Sequence, residues 1–488
     1  MSSTRTAART IGNIIGGVEG PAAAGETLDK FAPATGELLC KLARSRAADV
    51  DAAVSAAVAA QPGWARETPV ARGAVLRKIA QLLERDGEEL SRIVAAETGK
   101  PLRDARGETG GAVEQGYFMA GEGRRFYGRT LTSGVPNRHP IVVRQPVGVA
   151  GLIIAANTPL PNIAWKVFPA LICGNAAVLK ASEDTPESAL AFARLAAEAG
   201  LPDGVLNVVQ GLGPEAGQPL VSDERVALVS FTGSTAVGRM IARVAGERLA
   251  KVCLELGGKN PLVVCDDADL PKAAETAALS AFSNAGQRCA AGSRIIVFQA
   301  VYDEFRELLL ERTNAQRVGS GDEHDFGPVI NERQLENMLT RVREAKEQGA
   351  TILAGGHRLT GEHYANGFYM APTLIEGSDE LSASELFGPI TTLHRVGGFD
   401  EAVELANASP YGLTAAIWTA SVHRGQEFVT RVRSGVASVN GPTYGSEPHW
   451  PFGGVKDSGT GWREPGTEAL DVYSDWKTVH VTHDPERV

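Results

Sequence analysis

The stretch VGVAGLIIAA, residues 147–156, decides the fold. It is apolar throughout, rich in β-branched residues and the length of a strand. A strand with one wet face alternates apolar and polar residues. This run does not, so both of its faces are buried, which is the habit of a parallel sheet. It stops at Asn157-Thr158-Pro159, and residues 161–173 read as a helix. The alternation then continues through strand 176–180, helix 188–199, strands 205–210 and 226–232, and, after Gly233, helix 236–247. Such an order builds a doubly wound parallel sheet with right-handed crossovers. Ligands bind these sheets beyond the carboxyl ends of the strands. The residues to inspect are therefore Asn157, Lys180 to Glu183, Gly211 to Gly213, and Thr232 to Ser234.

Downstream the alternation repeats and predicts a second α/β domain. Its strands are 260–265, 293–298, 351–354, 390–395, 415–419 and 436–440; its helices are 270–283, 302–312, 334–348, 399–406 and 424–432. Upstream, residues 1–30 read as a loose lead-in. The segment 31–36, FAPATG, is a turn before strand 38–42, and helices follow at 48–60, 70–86, 88–98 and 104–126. Residues 138–145 form a strand. Residues 479–482 read as a short strand with no local partner, an edge of the kind that another subunit often covers.

Composition narrows the function classes. A net charge of −10 over 488 residues leaves no basic footprint for nucleic acid. No apolar run is long enough to span a bilayer, and MSSTRTAART lacks the apolar core of a secretory signal. The five cysteines, Cys40, Cys173, Cys253, Cys265 and Cys289, are odd in number and widely scattered. That suits thiols in a reducing compartment, here the cytoplasm, rather than a disulfide framework. With no C-x-x-C and no histidine cluster, no metal is expected.

Several stretches carry chemistry. FSNAGQRCAAGSR, residues 282–294, sets Cys289 among small residues, where a substrate carbon and backbone amides can approach the sulfur. Arg288 beside it would favour the thiolate, the nucleophilic form. AAVLKASEDTP, residues 176–186, puts Lys180 and Glu183 past a strand end, where a carboxylate can accept ribose hydroxyls. VSFTGSTAVG, residues 229–238, leaves Gly233 and Ser234 at a helix N-terminus, a place for a pyrophosphate. CLELGGKNP, residues 253–261, holds Glu255 in an apolar run; buried, it would be a fit general base. Taken singly, each stretch also reads as ordinary structure: a packing cysteine, a surface ion pair, a helix cap, a solvated face.

Together these stretches, with ANTPLPNIAWKVFPALICGN (156–175), ELFGP (385–389) and PFGGVKDSG (451–459), resemble the aldehyde dehydrogenase superfamily in order and spacing, from about Phe31 to the C-terminus. The resemblance implies two doubly wound parallel-sheet domains: a Rossmann-like NAD(P)-binding domain of residues 1–127 and 147–257, and a catalytic domain of residues 258–456. A small β oligomerisation extension would comprise residues 128–146 and 457–488. It further implies that Cys289 attacks an aldehyde carbon, that the Asn157 amide and the Cys289 N–H hold the oxyanion, and that Glu255 activates the water that releases the acid. Lys180 and Glu183 would hold the adenosine ribose, Gly233 and Ser234 the pyrophosphate, and Glu385 and Phe387 the nicotinamide ribose and ring. Ile153, Ser182, Gly213, Phe231 and Gly257 complete the implied cofactor set. Glu464 matches a second acid that some members place near the water path, although Trp462 here precedes Arg463.

The implied cofactor is NAD, because the Glu183 carboxylate repels a 2′-phosphate; some members accept NADP as well. The implied assembly is a homodimer or homotetramer. Two positions depart from the family: Ala236 stands where Glu is frequent, and Ala156 where Trp is frequent. The first would loosen the cofactor grip, and the second would widen the pocket. Three other readings compete with hydrolytic aldehyde oxidation. A coenzyme A-acylating enzyme typically lacks the base that Glu255 supplies. A non-catalytic member would lack Cys289, Glu255 or Asn157, and a cysteine hydrolase would need a histidine in these motifs. The loop 441–450, with Tyr444, His449 and Trp450, would line the aldehyde tunnel and suit an aromatic or apolar substrate. Whether Arg288 faces the substrate is not decided by the sequence.

Overall fold

The computed structural model describes residues 9–487 except 365, 378–380 and 382. The apolar run becomes the strand Val149–Ile153, wholly buried, at the middle of a seven-stranded sheet. Its alternate residues face opposite layers. Ala150 and Leu152 pack with the helices Pro159–Ile172 and Pro186–Glu198, whereas Val149 and Ile153 pack with Val50, Ala53, Val54 and Ala57 of the helix Ala47–Arg66. Each face therefore removes a different set of side chains from water, which is why the run shows no polar alternation.

The sheet order is Lys251–Glu255, Val226–Thr232, Val149–Ile153, Ala176–Lys180, Leu206–Val209, Asn13–Ile15, Val18–Gly20. The first five strands are parallel, and the last two add in antiparallel fashion. Residues 10–20 are thus not a loose lead-in. Asn13 anchors them: its buried side-chain carbonyl accepts from Gln210 N at 2.8 Å and from Ser45 Oγ at 3.0 Å. The strands are two or three residues long, too short to show a period in the sequence.

The second sheet has the order Thr351–Ala354, Thr373–Glu376, Ile390–Val396, Gly292–Phe298, Asn260–Val264, Thr414–Trp418, Val436–Val439. It is parallel except for the edge strand Thr351–Ala354. The molecule is α/β with two parallel-rich sheets, each mixed at an edge. A smaller antiparallel sheet joins Ser474–Thr482, Arg138–Pro146 and Arg129–Thr130. The C-terminal strand is accordingly longer than residues 479–482, and it has a partner within its own chain. That partner lies more than 300 residues upstream, so no local pattern reveals it.

Residues 256–259 alone connect the last strand of the first sheet to the strand Asn260–Val264 of the second. The carboxyl edge of one sheet consequently meets the amino edge of the other, where the loops preceding Gly292–Phe298 and Ile390–Val396 also arrive.

Asn175 fastens the central strand. It is fully buried; its Oδ1 accepts from Gly148 N at 2.9 Å, and its Nδ2 donates to Ala170 O at 3.1 Å and Tyr473 O at 2.8 Å. Asn175→Ala strands these buried groups and is expected to lower the unfolding free energy by about 3 kcal/mol. A chemical-denaturation midpoint equal to wild type would contradict that reading.

Candidate active site

The loop that carries Cys289 leaves the helix Leu270–Phe282 through three successive left-handed residues, Asn284 (φ 55°), Ala285 (φ 54°) and Gly286 (φ 65°). For non-glycine residues this conformation costs roughly 1–2 kcal/mol each, so surrounding contacts must hold it. Asn284 Nδ2 donates to Gln287 O and to Asn157 O, both at 3.2 Å. Gln287 donates to Pro328 O at 3.1 Å and accepts from Ile330 N at 2.9 Å. A Cβ at Gly286 would strike Gly388 O, so only glycine lets this loop lie against the turn that follows Glu385. Asn260 ties the other side. Its Nδ2 donates to Cys289 O at 2.8 Å and to Ala291 O at 2.9 Å, and its Oδ1 accepts from Thr414 N at 3.0 Å.

Cys289 is half-buried, whereas the other four cysteines are buried. Its thiol is pushed up to about 12, first by burial, then by Glu385 and Glu255; Arg288 and the Ala290 N–H pull the other way. Arg288 does pull toward the thiolate, as the sequence predicts, but burial and two carboxylates outweigh it. The backbone N–H of Cys289 has no acceptor among the described residues.

Asn157 follows the central strand. Its Nδ2 donates to Gln287 O at 3.0 Å, and its Oδ1 accepts from Asn162 Nδ2 at 3.3 Å. Its backbone carbonyl accepts from Lys100 Nζ at 2.7 Å. Glu255 ends the strand Lys251–Glu255; it is buried, and neither carboxylate oxygen has a partner. Burial, then the nearby Glu464, hold it well above the ordinary carboxylate range, against the pull of Lys166 and Arg463. Glu464 is itself fully engaged: Lys166 Nζ at 2.8 Å, Tyr473 OH at 2.8 Å and Ser230 Oγ at 3.0 Å all donate to it.

A cavity of about 720 Å³ joins these parts. Asn157, Glu255 and Cys289 line it together with Gly233, Ser234, Gly257, Glu385 and Phe387. Glu385 accepts from Gly258 N at 2.9 Å, and burial raises it to about 7. Phe387 adopts a left-handed backbone (φ 54°), a further strained residue at the cavity wall. Glycine makes the cradle: a Cβ at Gly233 would strike the Phe231 ring, and one at Gly257 the Glu385 carboxylate. Ser234 caps the helix Thr235–Glu247, whose first amides open toward the cavity end. Such a cradle of close backbone, a helix N-terminus and a buried carboxylate has the chemistry to hold a dinucleotide.

The remaining predicted cofactor residues do not line this cavity. Ile153, Lys180 and Phe231 stand in one register row at the carboxyl edge of the first sheet, Lys180 beside Ile153 and Ile153 beside Phe231. Ser182 and Glu183 follow that edge, and Gly213 opens the turn Gly213–Gly217 after the next strand. Lys180 Nζ meets Glu183 Oε2 at 3.1 Å. Burial raises the Glu183 carboxyl, but Lys180 leads the groups that bring it below its usual range.

At the other end, the Trp165 and Phe452 rings lie 5.5 Å apart on the cavity wall with Tyr444. His449 and Trp450 do not line it; His449 packs against Trp450 at 6.0 Å and Phe118 at 6.5 Å. The expectation for the loop thus holds for Tyr444 and fails for its last two residues. Sequence reading also passed over Asn260, Gln287 and Trp165. The signal for Asn260 was a polar residue opening an otherwise apolar strand. Among the described residues no group of three or more His, Cys, Asp or Glu side chains could hold a metal ion, and no helix is long and apolar enough to cross a membrane.

Comparison with known proteins identifies the family. A model of the aldehyde dehydrogenase family matches residues 21–479. The chain is 41% identical to the 2,5-dioxopentanoate dehydrogenase of Saccharolobus solfataricus, over 88% of the chain and 91% of that protein. It is 38% identical to the alpha-ketoglutaric semialdehyde dehydrogenase of Bacillus subtilis, over 90% and 91%. The crystal structure of betaine aldehyde dehydrogenase from Staphylococcus aureus in complex with NAD+ superposes with a TM-score of 0.95 at 32% identity, covering 97% of this chain and 95% of that one.

Because the other cysteines are buried, iodoacetamide reports on Cys289. Alkylation is expected to be slow at neutral pH and to rise about tenfold per pH unit without a plateau below pH ~10. Glu385 is ionised above about pH 7 and raises the thiol, so Glu385→Gln should speed alkylation severalfold at about pH 8. A plateau near neutrality in the wild type would contradict the raised thiol.

Proposed function

The chain belongs to the aldehyde dehydrogenase family and oxidises aldehydes to acids with NAD(P)+, and we propose that Cys289, Asn157 and Glu255 carry that reaction. Cys289 attacks the aldehyde carbon as its thiolate, and the negative charge passes from sulfur to the former carbonyl oxygen. Asn157 Nδ2 and the Cys289 backbone N–H donate to that oxygen; donors of this kind are worth about 3 kcal/mol each. NAD(P)+, when bound, accepts the hydride that the thiohemiacetal gives up. A thioester on Cys289 results. Glu255 takes a proton from water, the oxygen attacks the thioester, and the acid leaves with the thiolate restored. The observation that carries this reading is that a thiol, an amide and an unpartnered carboxylate from three separate strands and loops line one cavity.

Gly233 and Ser234 hold the pyrophosphate, Lys180 and Glu183 the adenosine ribose, and Gly257, Glu385 and Phe387 the nicotinamide end. Ile153, Ser182, Gly213 and Phe231 shape the adenosine end. The Lys180–Glu183 pair favours NAD, since an ionised carboxylate at the ribose repels a 2′-phosphate. The two relatives named above act on 2,5-dioxopentanoate and alpha-ketoglutaric semialdehyde, and for this chain we read the substrate as a semialdehyde, an aldehyde with a carboxylate at its other end. We propose the division into domains 1–127 with 147–257, 258–456, and 128–146 with 457–488, supported by the two seven-stranded sheets and by the small sheet of Ser474–Thr482, Arg138–Pro146 and Arg129–Thr130. A homodimer or homotetramer is the assembly we propose. The small antiparallel sheet supports it, with Ile141, Trp476 and Val481 exposed. Five free cysteines suit the reducing cytoplasm.

Cys289→Ala is expected to lower NADH formation on the order of 10⁴-fold. Glu255→Gln should keep a first-turnover burst of NADH but slow the steady state by about 10²-fold or more, removing the rate limb that rises with pH as this raised carboxyl ionises. Full activity in Cys289→Ala, or acceleration of the wild type by coenzyme A, would count against the hydrolytic reading.

A further inference from the structure

Arg288 has no part in the chemistry above, yet it immediately precedes Cys289 and lines the same cavity. Its guanidinium lies over the Tyr444 ring, 4.8 Å from the centroid. Its Nε is buried with no acceptor. No carboxylate among the described residues forms an ion pair with it, although several line the cavity. Glu108 is paired with the buried Lys100, Asp104 lies beside Arg103, and Glu447 lies nearest His449. Glu385 is held by Gly258 N, and Glu255 neighbours the Lys166–Glu464 pair. The cavity therefore holds one half-buried cation whose fork of donors is unused, and such a group gains most from a carboxylate that binds it on two N–H groups.

We propose that Arg288 is the specificity residue that grips the carboxylate of the substrate, so that the enzyme takes anionic aldehydes in preference to neutral or cationic ones. This rests on Cys289 being the nucleophile. A side chain of arginine length one residue from the sulfur reaches a group several bonds from the aldehyde carbon. The Tyr444 ring fixes the plane of the guanidinium and lowers the entropy lost on gripping a carboxylate. The same contact argues against a quaternary ammonium substrate. The resident cation covers one face of Tyr444, the ring such a group would seek, and repels it. The aromatic wall of Trp165 and Phe452 then packs the apolar chain between the two ends rather than selecting an aromatic aldehyde.

The test compares three aldehydes of matched length: 4-oxobutanoate, butanal and 4-trimethylammoniobutanal. Wild-type kcat/KM should favour 4-oxobutanoate over butanal by about tenfold or more, with the cation poorest. Raising the salt concentration should raise KM for 4-oxobutanoate and leave that for butanal in place. Arg288→Gln should bring the carboxylate-to-neutral ratio to within about threefold, through KM rather than kcat, and Arg288→Lys should restore part of it. No preference in the wild type, a salt response equal for both substrates, or a ratio unchanged in Arg288→Gln would overturn the proposal. A turnover-free arm separates it from the reading it rests on: butanoate, but not butanamide, should protect wild-type Cys289 from iodoacetamide and should fail to do so in Arg288→Gln. If no aldehyde yields NADH while this protection persists, the proposed reaction fails and the carboxylate grip stands; if butanoate gives no protection, the grip falls.

Discussion

The structure depends on how closely the link 256–259 threads between two functional groups. Gly257 passes the Glu385 carboxylate, and Gly258 passes the Cys289 carbonyl, each so near that a methyl group would collide. The link is the only covalent bridge between the end of Lys251–Glu255 and the start of Asn260–Val264. Glu255 at one side and Asn260 at the other are thereby fixed relative to Cys289, the first inside the cavity and the second bonded to the Cys289 carbonyl. The two sheets, their helices and their cores serve to hold this short segment in place.

Electrostatics around it runs against ordinary solvation. Glu255, Glu464, Lys166 and Tyr473 are all buried, with only Lys166 positive. Removing one member of such a buried pair typically costs about 3–5 kcal/mol, because the other is left uncompensated. The arrangement persists because Glu464 takes donors from three directions, which lets its neighbour Glu255 remain without any. A carboxyl with unused lone pairs and a raised proton affinity is what a water-activating base requires. Burial and the carboxylates of Glu385 and Glu255 likewise favour the neutral thiol, against the pull of Arg288.

Much of this was legible in the residues. The run 147–156 announced a doubly buried strand, and the glycine-flanked stretches around Cys289, Glu255 and Gly233 marked the positions that meet in the cavity. What stayed hidden has physical causes. The strands at residues 10–20 are too short for periodicity, and they are specified by one buried asparagine far from their partners in sequence. Left-handed Asn284 and Ala285 carry no compositional mark, since their conformation is imposed by hydrogen bonds from distant loops. The direction of Arg288 depends on where Tyr444 lies, and the raised thiol depends first on burial by the fold and then on Glu385; neither Tyr444 nor Glu385 is near in the chain. Lys180 and Glu183 were legible as a strand-end pair, but not their position along the edge away from the cavity that holds the sulfur.

The pairing of Ser474–Thr482 with Arg138–Pro146 also constrains the order of assembly. During synthesis the upstream strand emerges long before its mate, with only the two-residue Arg129–Thr130 beside it. For more than 300 residues of translation it presents an open edge bearing Ile141 and Val143, the sort of template that neighbouring nascent chains on a polysome can join. A pair separated by more than 300 residues cannot form until nearly the whole chain has been made, so this edge stays open through most of synthesis.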